Sequence, residues 1–199
     1  MINLAGDNSP RTRSLRRTPG NHGRVIAMCV VALGTTVILG GCGSKAALTP
    51  VQRLNAGIAA FSESNFSQAR SDYKEVIKDD PSNSHGLNKI AWYDLGVLDQ
   101  QLGHTQAANS EYQQALLIDP KYPNALYNLA VLDTSSNPSR AINLYRRALV
   151  LTPANPNIRW NLGLLLYKTG HVIEGRALLK SAIKIDPGIA VKLPKGVKL

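Results

Sequence analysis

From about Thr49 onward, apolar residues recur at helical spacing, and two helical patterns alternate between short turns. The phrase "AWYDLG" at 91–96 returns as "ALYNLA" at 125–130 and as "IRWNLG" at 158–163. Its leucines, Leu95, Leu129 and Leu162, stand 34 and 33 residues apart. A fixed period of that length predicts a row of similar helix pairs, each burying its apolar faces on its neighbours. Each phrase also sets an aromatic residue beside a carboxylate or an amide: Tyr93 and Asp94, Tyr127 and Asn128, Trp160 and Asn161.

The best copy of the pattern, 91–120, holds Trp92, Leu95, Gly96, Ala108, Tyr112, Ala115 and Pro120. It resembles the tetratricopeptide repeat (TPR), whose signature is Trp, Leu-Gly, a later Ala, an aromatic, another Ala and a closing Pro. The small Gly96 and Ala108 would let two antiparallel helices approach, with Tyr112 and Leu95 filling the space beside the crossing. Pro120 cannot continue the second helix, so the chain would turn there into the next repeat. A first copy carries Gly57, Ala69, Tyr73 and Pro81, and a third carries Leu129, Ala130, Ala141, Tyr145, Ala148 and Pro153. A fourth carries Leu162, Gly163, Ala182 and Pro187, with Gly175 for the second-helix alanine and Leu179 for the aromatic. The resemblance implies an all-α fold, a right-handed TPR solenoid of four helix-turn-helix repeats at 50–83, 89–122, 123–155 and 156–189. An inserted junction is expected at 84–88, because Pro81 and Pro120 are too far apart for one period. The third internal turn, "SSNPS", is one residue shorter than its neighbours. A basic tail, 190–199, contains Pro194 and is too short for a full capping helix. It is expected to fold back through Ile189, Val191 and Leu193 over Leu178, Leu179 and Ile183.

Composition changes the picture mainly at the start of the chain. With 44% hydrophobic and 18% charged residues the chain is of the folding kind. Five arginines precede the run "VIAMCVVALGTTVILGG", which is followed by Cys42. A basic flank, an apolar core and a small-residue ending are the parts of a secretory signal. "LGGC" at 39–42 resembles the lipobox of bacterial lipoproteins. That resemblance implies a lipoprotein signal peptide over 1–41, lipid attachment at Cys42, and a flexible tether over 42–49. The protein would then be exported and lipid-anchored in the bacterial cell membrane or envelope. An uncleaved signal anchor with an incidental cysteine is the alternative. Cys29 would leave with the peptide, so the mature chain would hold neither a free thiol nor a disulfide.

Nothing in the sequence assembles catalytic chemistry. His104 and His171 each follow a glycine in a turn and read as solvated. There is no HExxH, GxSxG or phosphate-cradling glycine loop. Asp79 and Asp80 end a helix and read as surface charge. No enzyme activity, cofactor, metal or nucleic-acid partner is expected.

The remaining signal lies on one helix face. Residues at i, i+1 and i+4 share about 100° of a helix. In the first helices that face holds Leu54, Asn55 and Ile58; Tyr93, Asp94 and Val97; Tyr127, Asn128 and Val131; and Trp160, Asn161 and Leu164. Leu95, Gly96 and their counterparts face the paired helix, leaving this face for the inner wall. Asn55, Asp94, Asn128 and Asn161 would then form a row beside Tyr93, Tyr127 and Trp160. Amides both donate and accept, so such a row can pair with the backbone of an extended peptide. Similar rows occur in some peptide-binding TPR proteins, whereas the cation set that holds a terminal carboxylate in chaperone-tail-binding relatives is missing. The alternative is that the aromatics pack between repeats and the amides are solvated.

The leading expectation is therefore a membrane-anchored scaffold that holds a peptide or partner protein in a concave groove. It would support assembly of an envelope, secretion or pilus complex. Charge suggests a second reading. Over 42–137 there are seven Lys/Arg against ten Asp/Glu, and from Arg140 onward eleven against two. The basic C-terminal half, with Arg176, Lys180 and Lys184 on one stripe, would bind anionic lipid or an envelope polymer. Exposed apolar ends leave a homo-oligomer open.

Overall fold

The computed structural model describes residues 48–199. The expected signal peptide, Cys42 and most of the tether lie outside the described residues. The described residues form one compact unit, and every buried core residue named below falls inside it. Eight α-helices follow in order: α1 Pro50–Ser62, α2 Phe66–Asp79, α3 Asn88–Gln101, α4 Thr105–Ile118, α5 Pro123–Ser136, α6 Pro138–Leu151, α7 Pro156–Lys168 and α8 Val172–Ile185. A short 3₁₀ helix, Pro187–Lys192, closes the series, and no strand occurs among the described residues.

Local chemistry sets these boundaries. Thr49 and Gln52 form a reciprocal capping box at the start of α1, and Asn65 and Asn155 cap α2 and α7. Proline opens α1, α5, α6 and α7, where its missing N–H costs no helical hydrogen bond. Asn137 closes α5 and caps α6 at once, which explains the shortened third turn.

The helices pack as consecutive pairs, α1 with α2 through α7 with α8, and each second helix then packs on the first helix of the next pair. First helices of successive pairs also meet, α1 with α3 and α5 with α7. They therefore form the inner wall of a four-repeat solenoid.

Within each pair a small residue admits a large one. A Cβ on Gly57 would lie 2.7 Å from the ring of Tyr73, and one on Gly96 would lie 2.5 Å from that of Tyr112. In the third pair Ala130 and Tyr145 are both buried in the same cluster. The fourth pair has Leu179 in place of the ring, and its backbones come closer: a Cβ on Gly175 would meet the Gly163 carbonyl oxygen at 2.7 Å. Gly175 is thus a steric necessity of that crossing.

The inserted junction is an ordered loop built on Asp80, which corrects its assignment as surface charge. Asp79 is exposed, but Asp80 is only 3% exposed. Its carboxylate accepts hydrogen bonds from Ser84 N (2.8 Å), Ser84 Oγ (2.9 Å) and His85 N (2.8 Å). These bonds hold its pKa well below the usual carboxylate range. Asn88 Nδ2 donates to the Asp80 carbonyl at 2.7 Å, tying the start of α3 to the end of α2.

The C-terminal edge is covered by the tail. Asp186 Oδ1 accepts from Gly188 N at 3.0 Å and starts the 3₁₀ turn. Ile189, 2% exposed, packs on Trp160, Leu179 and Ala182, flanked by Ile183, Leu193 and Val197. Val191 departs from the expected contact and is 87% exposed. A turn with near threefold spacing sends it away from the face that Ile189 occupies. Burying one isoleucine side chain is worth about 1.5–3 kcal/mol. Deleting residues 188–199 should therefore lower the melting temperature by roughly 5–10 °C, measured by circular dichroism. An unchanged melting temperature would show that the tail does not cap the array.

The inner wall as candidate functional site

Two amides of the expected row, Asn128 and Asn161, are hydrogen-bonded inside the protein. Asn128 Nδ2 donates to Tyr93 Oη at 3.3 Å and to Tyr112 Oη at 3.2 Å. Asn161 Nδ2 donates to Tyr127 Oη at 2.9 Å. Each amide thus braces the tyrosine of the preceding repeat. Burial raises the pKa of both Tyr93 and Tyr127, and the amide bonds lower it again in part. Neither Asn128 nor Asn161 has a hydrogen bond to its side-chain oxygen among the described residues, so the acceptor half of each amide is unpaired there.

The aromatics divide. Tyr93 packs on Tyr112 and Tyr122 with ring centroids 5.8 and 5.3 Å apart, and Tyr127 packs on Tyr145 at 5.9 Å. Both stay half-buried at the wall. Trp160 departs from the expected wall position: it is 5% exposed, because Ile189 covers it as a following repeat would. Asn55 is exposed, and the residue before it is the buried Leu54.

Asp94 is the odd member of the row. Repeat one has Leu54 where the others carry an aromatic with a polar tip, so the phenol that Asn128 and Asn161 meet at that position is missing for Asp94. Its Oδ2 is buried without a partner, and desolvation pushes its pKa up to about 6.

Beside Asn161 the wall opens into a cavity of about 260 Å³, lined by Val131, Thr134, Ser135, Tyr145, Leu164 and Lys168 among others. It joins apolar sides to an exposed hydroxyl and an exposed ammonium group. A second cavity, about 390 Å³, lies between α4 and α6 and includes Leu117, Arg140 and Arg147.

A second polar row escaped the sequence reading. Asp99, 1% exposed, accepts from Arg70 Nη1 at 2.8 Å, and His104 Nδ1 lies 2.8 Å away. His104 is therefore more than a solvated turn residue, although His171 meets only Thr169. Asp133 repeats the device, with Arg140 Nε at 3.2 Å and Asn109 Nδ2 at 3.4 Å. Glu111 sits against Asp99, and burial plus that charge raise its pKa to about 8. The visible signal was Leu-Asp at 98–99 and again at 132–133. Among the described residues no group of three or more His, Cys, Asp or Glu is placed to hold a metal ion.

Family models agree with this geometry: residues 90–122 match one described as tetratricopeptide repeat, and residues 139–170 match a TPR repeat model. The chain carries tetratricopeptide repeats. Among solved structures, MamA superposes with a TM-score of 0.59 at 20% identity, over 72% of this chain and 81% of that one. A tetratricopeptide repeat protein from Parabacteroides merdae does so at 0.62 and 20% identity, over 69% of this chain and 54% of that one. These likenesses show the fold. In sequence, 80 residues are 36% identical to the Pseudomonas putida protein described as "Probable biofilm formation methyltransferase WspC". The match covers 40% of this chain and 18% of that protein's length. An array of such repeats is a scaffold for protein–protein interaction.

Asp94 yields a pH test. Its folded pKa lies above the ordinary value near 4, so the native state holds the proton more tightly. Stability is then greatest below that value and falls as pH rises through about 6. Asp94→Asn, the residue type of the later repeats, should melt several degrees higher than the parent at pH 7.5. The gain should vanish at pH 4. A gain independent of pH would contradict the assignment.

Proposed function

We propose that the array is a membrane-anchored scaffold that holds an extended segment of a partner protein along its inner wall. The observation that carries this reading is the wall itself. It is a row of half-buried rings beside amide oxygens that accept no hydrogen bond within the described residues, with a cavity next to Asn161. Backbone N–H groups of a ligand would donate to the Asn128 and Asn161 oxygens, and its apolar side chains would enter the cavity. The rings offer contact area at little entropic cost, because the Asn–Tyr bonds already fix them. Attachment at Cys42 through a diacylglycerol would place this wall at the surface of an envelope membrane. There it could gather components of an envelope, secretion or pilus complex.

A photo-crosslinking residue at Ser135, on the cavity rim, should trap a protein partner in cells, whereas one at Gln113 on α4 should not. Adducts formed only at Gln113 would move the site to the outer face. Changing Cys42 to Ala should transfer the protein from the membrane fraction to the soluble fraction of the envelope. Retention in the membrane at unchanged mass would favour an uncleaved anchor.

A further inference from the structure

The positive charge of the second half of the chain gathers at the end of the array farthest from α1. On α8, Ile173, Ala177, Lys180 and Lys184 are all exposed and share one stripe by helical spacing. Ile173 is 88% exposed, and Val191 in the 3₁₀ turn is 87% exposed. Lys192, Lys195 and Lys198 continue the charge beyond it. None of these five lysines enters an ion pair among the described residues. The acidic groups nearby are occupied: Glu174 accepts from Arg146 at 2.9 and 3.0 Å, and Asp186 caps Gly188.

The same outward stripe differs elsewhere. α4 presents Gln106, Ser110, Gln113 and Leu117, so solvation of this face does not require charge. α2 carries Lys74 and Lys78, but Glu75 lies 3.4 Å from Lys78 and the rest of that stripe is Ser67 and Ser71, with no apolar residue. α6 also bares an apolar residue on this stripe, Val150 at 80%, but its cation Arg146 is paired with Glu174, whereas α8 joins two unpaired lysines to a bare isoleucine.

We propose that the outer stripe of α8, with the 3₁₀ turn and tail, binds the surface of an anionic lipid bilayer. None of the five lysines lines a cavity described above, and they are spread over α8, the 3₁₀ turn and the tail. That suits a planar partner with diffuse charge better than a shaped acidic peptide. Lysine stems let the ammonium groups reach headgroups while Ile173 and Val191 enter the interfacial layer. Each lysine near an anionic leaflet multiplies binding roughly fivefold. Contact at this end would lay the array along the membrane and fix which way the inner wall faces. It depends on neither the lipid anchor nor the groove ligand.

The compact unit from residue 45 onward can be tested without lipid by sedimentation with vesicles. Phosphatidylcholine mixed with phosphatidylglycerol should bind it at least tenfold more tightly than phosphatidylcholine alone, and the difference should fall with added salt. The double change Lys180→Glu and Lys184→Glu should cut binding at least tenfold with an unchanged circular dichroism spectrum. Ile173→Ser should weaken it severalfold while leaving the salt dependence intact. Equal binding to both vesicles, no binding to the mixed ones, or indifference to the charge reversal would overturn the proposal. So would tighter binding of soluble polyglutamate than of the mixed vesicles, which would assign the patch to an acidic polymer.

Discussion

Everything in this array depends on how closely two helices of a pair can approach. Gly57 and Gly96 leave room for the rings of Tyr73 and Tyr112, and those rings then fill the crossing completely. The other pairs reach the same density by different routes. Ala130 accepts Tyr145, whereas Gly163 and Gly175 bring backbones together over the smaller Leu179. Interiors are packed like crystals, so volume lost at one position must be recovered at its neighbour. The fourth pair recovers it by moving helices instead of enlarging a side chain.

Close pairs place their tyrosine hydroxyls where the next repeat can use them. Asn128 reaches both Tyr93 and Tyr112, so one amide ties three helices across two repeats. On the other side, Arg70 with Asp99 and Asn109 with Asp133 join α2 to α3 and α4 to α5. These polar links are spaced by the repeat and fix how far one pair is turned against the next. Removing one partner would leave the other buried and unpaired, the costly half of the exchange. Asp94 shows that cost directly, since its Oδ2 is buried without a partner.

Rigidity of this kind serves a binding wall. A groove whose rings and amides are already held loses little entropy when a ligand arrives. The internal bonds also divide each amide into a structural donor and an outward acceptor. Two outward acceptors, on Asn128 and Asn161, thus stand one repeat apart. The two faces of the array are chemically distinct: the wall is aromatic and amide-rich, and the α8 end is basic. A single chain can thus engage two unlike surfaces without either competing for the same residues.

The sequence by itself determined the helix pairs, their small-to-large crossings and the course of the chain. Those features rest on contacts near in sequence and on a period repeated often enough to read. Pro81, Pro120, Pro153 and Pro187 each follow the end of a second helix, as the missing N–H of proline requires. That the seven candidate residues share one helix face was also legible, because helical spacing places them there. What they do was not. Whether Asn161 is free or bonded to Tyr127 depends on the turn between repeats, which no spacing encodes. Trp160 left the wall for the core only because Ile189 folds over it. Asp80 looked like surface charge because its hydrogen-bond partners come from a loop geometry, and Asp99 drew no reading because Arg70 reaches it from a neighbouring repeat. The tertiary structure alone decided which polar groups were spent internally and which were left for a partner, since that depends on distances between helices and not on periods along the chain.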